Sequence, residues 1–198
     1  MKLCTRLICA ATLAALASTP AMAAELTGTL KKIKETGVIV LGNRDASIPF
    51  SYYDNNQKPV GYSVDLANKV VEEVKKEPKM PNLQVKYNLV TSQTRIPLVQ
   101  NGTVDLECGS TTNNAERRKQ VSFTIPHFFS TTRMIVRADS GIKNWTDLKD
   151  KKVVTTRGST TVKLLTERDR VRSLNVRVLE GNDHAESFGM VEKFQADA

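Results

Sequence analysis

Cysteine is scarce in this chain of 198 residues: of three, Cys4 and Cys9 lie within the first ten positions and only Cys108 lies beyond them. With the N-terminal pair set aside, one thiol forms no internal disulfide, and two histidines without paired cysteines make no zinc framework. Long apolar runs are missing too; the N-terminal one, Leu7 to Ala17, is too short to cross a bilayer. Acidic charge is in deficit, with 21 Asp and Glu against 29 Lys and Arg, a net +8. The basic residues (Lys31, Lys32, Lys75, Lys76, Arg117, Arg118, Lys151 and Lys152 among them) are scattered and not interleaved with aromatics. No nucleic-acid motif accompanies them, so they read as solvated surface that favours encounter with small anions. There is no Gly-x-Ser-x-Gly elbow, phosphate loop or Cys/His spacing, hence no support for catalysis, a cofactor or a metal. Asp105 and Glu107 are expected to face apart rather than to work as an acid–base pair.

What is present begins with an export signal. Lys2 and Arg6 form a positive n-region, Leu7 to Ala17 an apolar stretch of about 11 residues, and Ala21-Met22-Ala23 a small-x-small cleavage pattern. Residues 1–23 are read as a cleaved signal peptide, and Cys4 and Cys9 lie too early to serve as a lipoprotein cysteine. Without Lys2 and Arg6 the net charge is +6. Cys108 is then alone in an oxidising compartment, either buried and inert or separated from a partner.

The remainder alternates helical and strand patterns. Leu26, Leu30 and Ile33 recur at helical spacing and Gly37 stops that helix. Val38 to Leu41 is a short strand, and Phe50 to Tyr53 with Val60 to Tyr62 brackets an Asp-Asn-Asn turn. Ser63 to Lys76 is an amphipathic helix with Leu66, Val70 and Val74 on its apolar face, ended by Pro78 to Pro81. Strands are expected at Val85–Val90 and Val104–Glu107, with a short helix from Arg95 between them and a charged turn at 115–120 after them. Residues 121–137 read as β-rich, interrupted by Pro126, and Asp139-Ser140-Gly141 as a linker. A second alternation follows: a short helix at Trp145–Leu148, a strand from Lys152, a helix through Leu164 and Leu165, a strand at Val176–Leu179, and a helix after His184. Two sets of βα units joined by an extended crossing imply two α/β lobes, 24–132 and 140–198, with a hinge crossing at 133–139 and a ligand cleft between them.

Residues suited to an anion cluster at the strand ends, where open α/β sheets bind ligands. Arg95 sits beside Ser92 and Thr94 at a strand-to-helix junction, and its fork can clamp a carboxylate. Arg44 follows the first strand and either recognises a second acid group or pairs with Asp45. Ser110, Thr111 and Thr112 line the next turn, as ligand contacts or as helix caps. Ser159, Thr160 and Thr161 open a helix after Gly158, where free N–H groups suit an anion. His184 lies at another such turn, with no second histidine to make a metal site.

At these residues the chain resembles the periplasmic solute-binding proteins of amino-acid ABC transporters, most closely the glutamate/aspartate-binding subgroup. The segments that carry the resemblance are Gly37–Arg44, Ile48–Asp54, Gly61–Asp65, Thr91–Pro97, Asn101–Asn113 and Asp183-His184. The resemblance implies a two-lobed type II periplasmic-binding fold with an open sheet in each lobe. It also implies a periplasmic, non-enzymatic, monomeric protein that closes on L-glutamate or L-aspartate and presents it to a membrane permease, without nucleic acid. It implies Arg95 on the α-carboxylate, helped by Thr160, and Arg44 with Ser92 and His184 around the side-chain carboxylate, with Ser110 and Thr112 completing the lining. Arg157 stands where a small residue is expected. Family members continue past Ala198 to finish the second lobe, so the chain is expected to be C-terminally truncated, with both lobes incomplete. Two rival readings are a cyclohexadienyl dehydratase-like exported enzyme on the same scaffold, and a fragment without function.

Overall fold

The computed structural model describes residues 25–76 and 80–198, so the signal segment and Pro78 lie outside the described residues. Helix α1, Gly28–Thr36, buries Ile33 and ends at Gly37, whose left-handed φ of 67° lets its N–H reach Ile33 O at 2.9 Å. Strand β1, Val38–Asn43, is the centre of a parallel three-stranded sheet, flanked by β5 (Gln84–Leu89) and β6 (Leu106–Glu107). Between them in sequence lie β2 (Ala46–Ser47), β3 (Ser51–Tyr53) and β4 (Pro59–Val60), a small antiparallel sheet. Tyr62 does not extend β4 as expected; it opens helix α2, Tyr62–Lys76, because Gly61 turns the chain at a φ of 122° against the backbone of Pro49 and Phe50.

The inward face of α2 is Val64, Ala67 and Val71, one helical position away from the expected Leu66–Val70–Val74 stripe, and Val70 is 43% exposed. Both stripes are apolar at a spacing of three to four. The small Ala67 sets the closer approach to the sheet, and Val74 packs only at the margin. Ala67 and Val71 form a first core with Ile33, Ile39, Leu41 and Leu83. Helix α3 (Arg95–Gln100) leads into β6, which is shorter than expected, and residues 115–118 form a helical turn, α4 (Ala115–Arg118), capped by Asn114.

Residues 121–137 contain no strand, contrary to expectation. A strand needs a ladder partner for its N–H and C=O groups, and none runs alongside among the described residues. The apolar residues that suggested a strand stand in solvent instead: Ile125 is 87% and Phe129 85% exposed.

A second core gathers Ile142, Leu148, Val153, Leu165, Leu174 and Ala198. A single 3₁₀ turn at Trp145–Leu148, closed by a capping box between Asn144 and Asp147, precedes β7 (Lys152–Thr156). Helix α5 (Thr160–Arg172) crosses to β8 (Arg177–Gly181), parallel to β7, and α6 (His184–Glu192) follows. The last residues continue the layer: Asp197 N–H donates to Lys152 O at 2.8 Å and Val154 N–H to Ala198 O at 2.9 Å.

Candidate functional site

Three arginines are buried around the carboxyl ends of β1, β5 and β6. Arg44, directly after β1, is wholly buried, and none of its three guanidinium nitrogens has a hydrogen-bond partner. Its main chain is fixed by Ser51, whose Oγ accepts the Arg44 N–H at 2.9 Å, so the orphaned head group is not a product of loose backbone. Arg95 opens α3, is 3% exposed, and leaves Nε and Nη1 unpartnered. Burial pushes Arg95 down to about 10, opposed by Glu107 and assisted by the charges of Arg117 and Arg44. It remains cationic at neutral pH.

The hydroxyl-rich turn before Arg95 divides its work. Thr91 Oγ1 accepts the N–H groups of Gln93 and Thr94 at 3.2 and 3.1 Å, and Thr94 Oγ1 accepts that of Thr91 at 3.0 Å. Thr94 is therefore spent on the turn and lies exposed, while Ser92 points inward with a buried, unpartnered Oγ. Ser110 Oγ donates to Ser47 Oγ at 3.4 Å, and Ser63 Oγ holds the carbonyl of Gly109 at 2.9 Å. Thr112 is exposed and contributes its carbonyl rather than its hydroxyl, accepting Arg117 Nη1 at 3.0 Å.

From the second core come Thr160, half-buried at the start of α5, and His184, at the start of α6. His184 Nδ1 lies 2.8 Å from Thr156 Oγ1, which fixes the ring. Burial lowers the His184 pKa below its ordinary value, Arg44 and Arg95 lower it further, and Asp183 and Asp45 act against them. His184 thus faces the same two arginines and is held neutral. Arg157 turns away: its Nε pairs with Glu180 at 3.0 Å on the surface.

Reasoning from sequence missed four residues. Arg117, placed in a charged turn, is 8% exposed and reaches Gly158 O with Nη2 at 3.2 Å, tying the turn after β6 to the turn after β7. Its neighbour Arg118 is exposed, and nothing in the local sequence separates the two. Gly158 has a φ of 72°, and a Cβ there would lie 2.7 Å from Gln93 Cα, so the two turns touch backbone to backbone. Thr156, the last residue of β7, orients His184. Glu107 sits beside the arginines, where its Oε2 accepts Thr111 Oγ1 at 2.6 Å. Asp105 goes elsewhere, to Lys32 at 2.8 Å and the Val40 N–H at 2.9 Å. The two acids do diverge, but because Asp105 lies before β6; within one strand, residues two apart would share a face.

Buried, unpaired guanidinium groups gathered at the strand ends are suited to an anion. Leaving such donors unmet costs on the order of 1–3 kcal/mol each, more for charged groups. Among the described residues no group of three or more His, Cys, Asp or Glu side chains is placed to hold a metal, and no helix is long and apolar enough to cross a membrane. Cys108 is enclosed enough for burial to push its thiol up to about 12, which keeps it in the unreactive thiol form.

Similar proteins agree with this architecture. A Pseudomonas aeruginosa protein called L-glutamate/L-aspartate-binding protein is 56% identical over 100% of this chain and 66% of its own length. The glutamate/aspartate import solute-binding protein of Escherichia coli K12 is 51% identical over 86% of this chain and 56% of its own. The chain therefore spans somewhat over half to two thirds of the length of these relatives. Among solved structures, an ancestral amino acid-binding protein described as a precursor of cyclohexadienyl dehydratase superposes with a TM-score of 0.74 at 28% identity, over 86% of this chain and 72% of that one. The fold is the two-lobed type II fold of periplasmic binding proteins. The family described as bacterial extracellular solute-binding proteins, family 3, matches residues 39–186, and the chain belongs to it.

Proposed function

We propose that the chain is the ligand-binding part of an exported solute-binding protein that captures L-glutamate or L-aspartate and delivers it to an ABC permease. The observation that carries this reading is the pair Arg44 and Arg95, both buried and both holding guanidinium N–H groups that nothing in the protein accepts. A carboxylate satisfies such a fork with two charge-assisted hydrogen bonds. A neutral side chain would leave the charge desolvated and unpaired, and that penalty is the source of selectivity. The names of the Pseudomonas and Escherichia relatives point to the same ligands.

In this reading Arg95 with Thr160 takes the α-carboxylate, and Arg44 with Ser92 and His184 takes the side-chain carboxylate; Arg44, Ser92 and Arg95 all keep buried, unpartnered donors for the purpose. Arg117, whose Nη1 and Nη2 are spent on Thr112 O and Gly158 O, braces the two turns beside the ligand. Ser110 completes the lining. Residues 1–23 would direct the chain to the periplasm, and 133–139 would act as the hinge between lobes 24–132 and 140–198. The protein performs no chemistry in this reading.

Thermal unfolding of the purified chain without residues 1–23, with and without millimolar L-glutamate, tests it. The melt rises with L-glutamate and not with L-glutamine, because a ligand that binds only the folded state stabilises it by mass action. An equal response to both, or to neither, overturns the proposal.

A further inference from the structure

Glu107 is the acid whose charge reaches all three buried arginines, Asp45 and Asp183 acting on Arg44 alone of the three, and nothing in the proposed capture of a ligand uses it. It ends β6, paired in register with Gly42, two residues before Arg44. Its position is tightly set. Oε2 takes the Thr111 hydroxyl at 2.6 Å, while Oε1 is buried with no donor. Gly109 keeps the space between it and Arg44 clear: a Cβ on Gly109 would stand 2.7 Å from Glu107 Oε1 and 3.0 Å from Arg44 Cγ. Yet among the described residues no arginine nitrogen comes within 4.0 Å of the Glu107 carboxylate. Its charge nevertheless opposes the desolvation of Arg44, Arg95 and Arg117 alike.

We infer that Glu107 is a specificity-determining counter-ion: a fixed negative charge that offsets part of the arginine cluster from a distance, leaving the guanidinium donors free and biasing the cleft against dianions. The inference rests on the proposed function and names what that site rejects. A carboxylate in salt-bridge contact would occupy the donors a ligand needs. One held beyond 4.0 Å offsets one unit of the arginines' positive charge and occupies none of their donors. Its repulsion scales with ligand charge, so sulfate or hydrogen phosphate, approaching a net charge of two, is repelled about twice as strongly as L-glutamate, whose ammonium offsets one of its two carboxylates. Serine and arginine donors alone would not make that distinction, since both kinds of anion satisfy them.

The test compares wild type with Glu107→Gln, Glu107→Asp and Thr111→Val by thermal shift and by titration calorimetry, using L-glutamate and sodium sulfate at constant ionic strength. In Glu107→Gln the preference for glutamate over sulfate falls by about tenfold, and sulfate raises its melting temperature more than it raises that of wild type. Glu107→Asp keeps the charge and restores most of the discrimination. Thr111→Val, which removes the hydrogen bond but not the charge, shifts stability without shifting the sulfate response. If Glu107→Gln and wild type respond to sulfate alike, or if Thr111→Val reproduces the Gln variant, the inference is overturned. A wild type that ignores glutamate sinks the proposed function alone, because the sulfate response still separates Glu107→Gln from wild type.

Discussion

Two arginine environments in this molecule, one half-buried and one wholly enclosed, show opposite accounting. Behind the second core, Arg137 spends its head group inside the protein: Nη1 donates to Val191 O at 2.9 Å and Ala196 O at 3.0 Å, and the guanidinium lies 4.2 Å over the ring of Phe194. Its Nε, 3.7 Å from the exposed carboxylate of Asp139, is the only loose end. In the cleft, Arg44 and Arg95 are at least as deeply enclosed and have no such acceptors. The same side chain is a brace in one place and keeps its donors unspent in the other. What separates them is whether carbonyls were brought within reach, which burial alone does not reveal.

Substitution sharpens that contrast most where the head group is removed and the volume kept. Arg44→Met or Arg95→Met should weaken L-glutamate binding by at least about a hundredfold, since a bidentate charge-assisted contact is lost. The same changes should stabilise the ligand-free protein, by about 1–3 kcal/mol in denaturant melts, because an unpaired buried charge disappears. Arg137→Met should do the reverse, losing about 2–3 kcal/mol of stability with its two carbonyls left unmet and moving ligand affinity little. Stabilisation by all three, or by none, would break the comparison.

Smaller effects follow from the parts that set the cleft. Gly158→Ala should weaken binding by about tenfold, read by calorimetry, because the methyl must push the Ser92–Gln93 backbone away and sit at a positive φ. A Ser92→Ala change placed beside it separates loss of a contact from loss of lobe approach, which small-angle scattering reads directly. The least effect is expected from pH. The folded His184 pKa lies below its unfolded value near 6.5, so the unfolded chain takes up its proton first. That contribution to stability is complete above pH about 6.5 and is lost as pH falls through the lower folded value. A His184→Gln variant should lack that part of the acid slope, and an unchanged slope would remove His184 from the cationic group.

Much of this was legible in the chain because it is local. Gly37 stops a helix by its own conformational freedom, and Arg95 stands among hydroxyls at the end of an apolar strand, whereas Arg44, beside Asp45, left two readings open. What was not legible depends on partners far off in sequence. Arg117 and Arg118 look alike until Gly158, some forty residues on, supplies a carbonyl to one of them. Glu107 was set aside as a non-catalytic acid, and its relevance appears only when three arginines from different segments converge near it. The inward face of α2 was misread by one position because apolar side chains cover two adjacent stripes, and only the approach of β1 chooses between them. The β-rich reading of 121–137 failed for the same reason: propensity makes a strand only where a neighbour accepts its ladder.

The contact of Gly158 with Gln93 has a consequence for the order of events. With these turns pressed together and Arg44, Ser92 and Arg95 almost wholly sealed from solvent, no amino acid can reach the donors in this arrangement. Under the proposed function, capture would begin from a more open conformer and finish in this one, and the dwell time of a ligand would be governed by how often the two turns part. Escape is then a property of the protein before it is a property of the ligand.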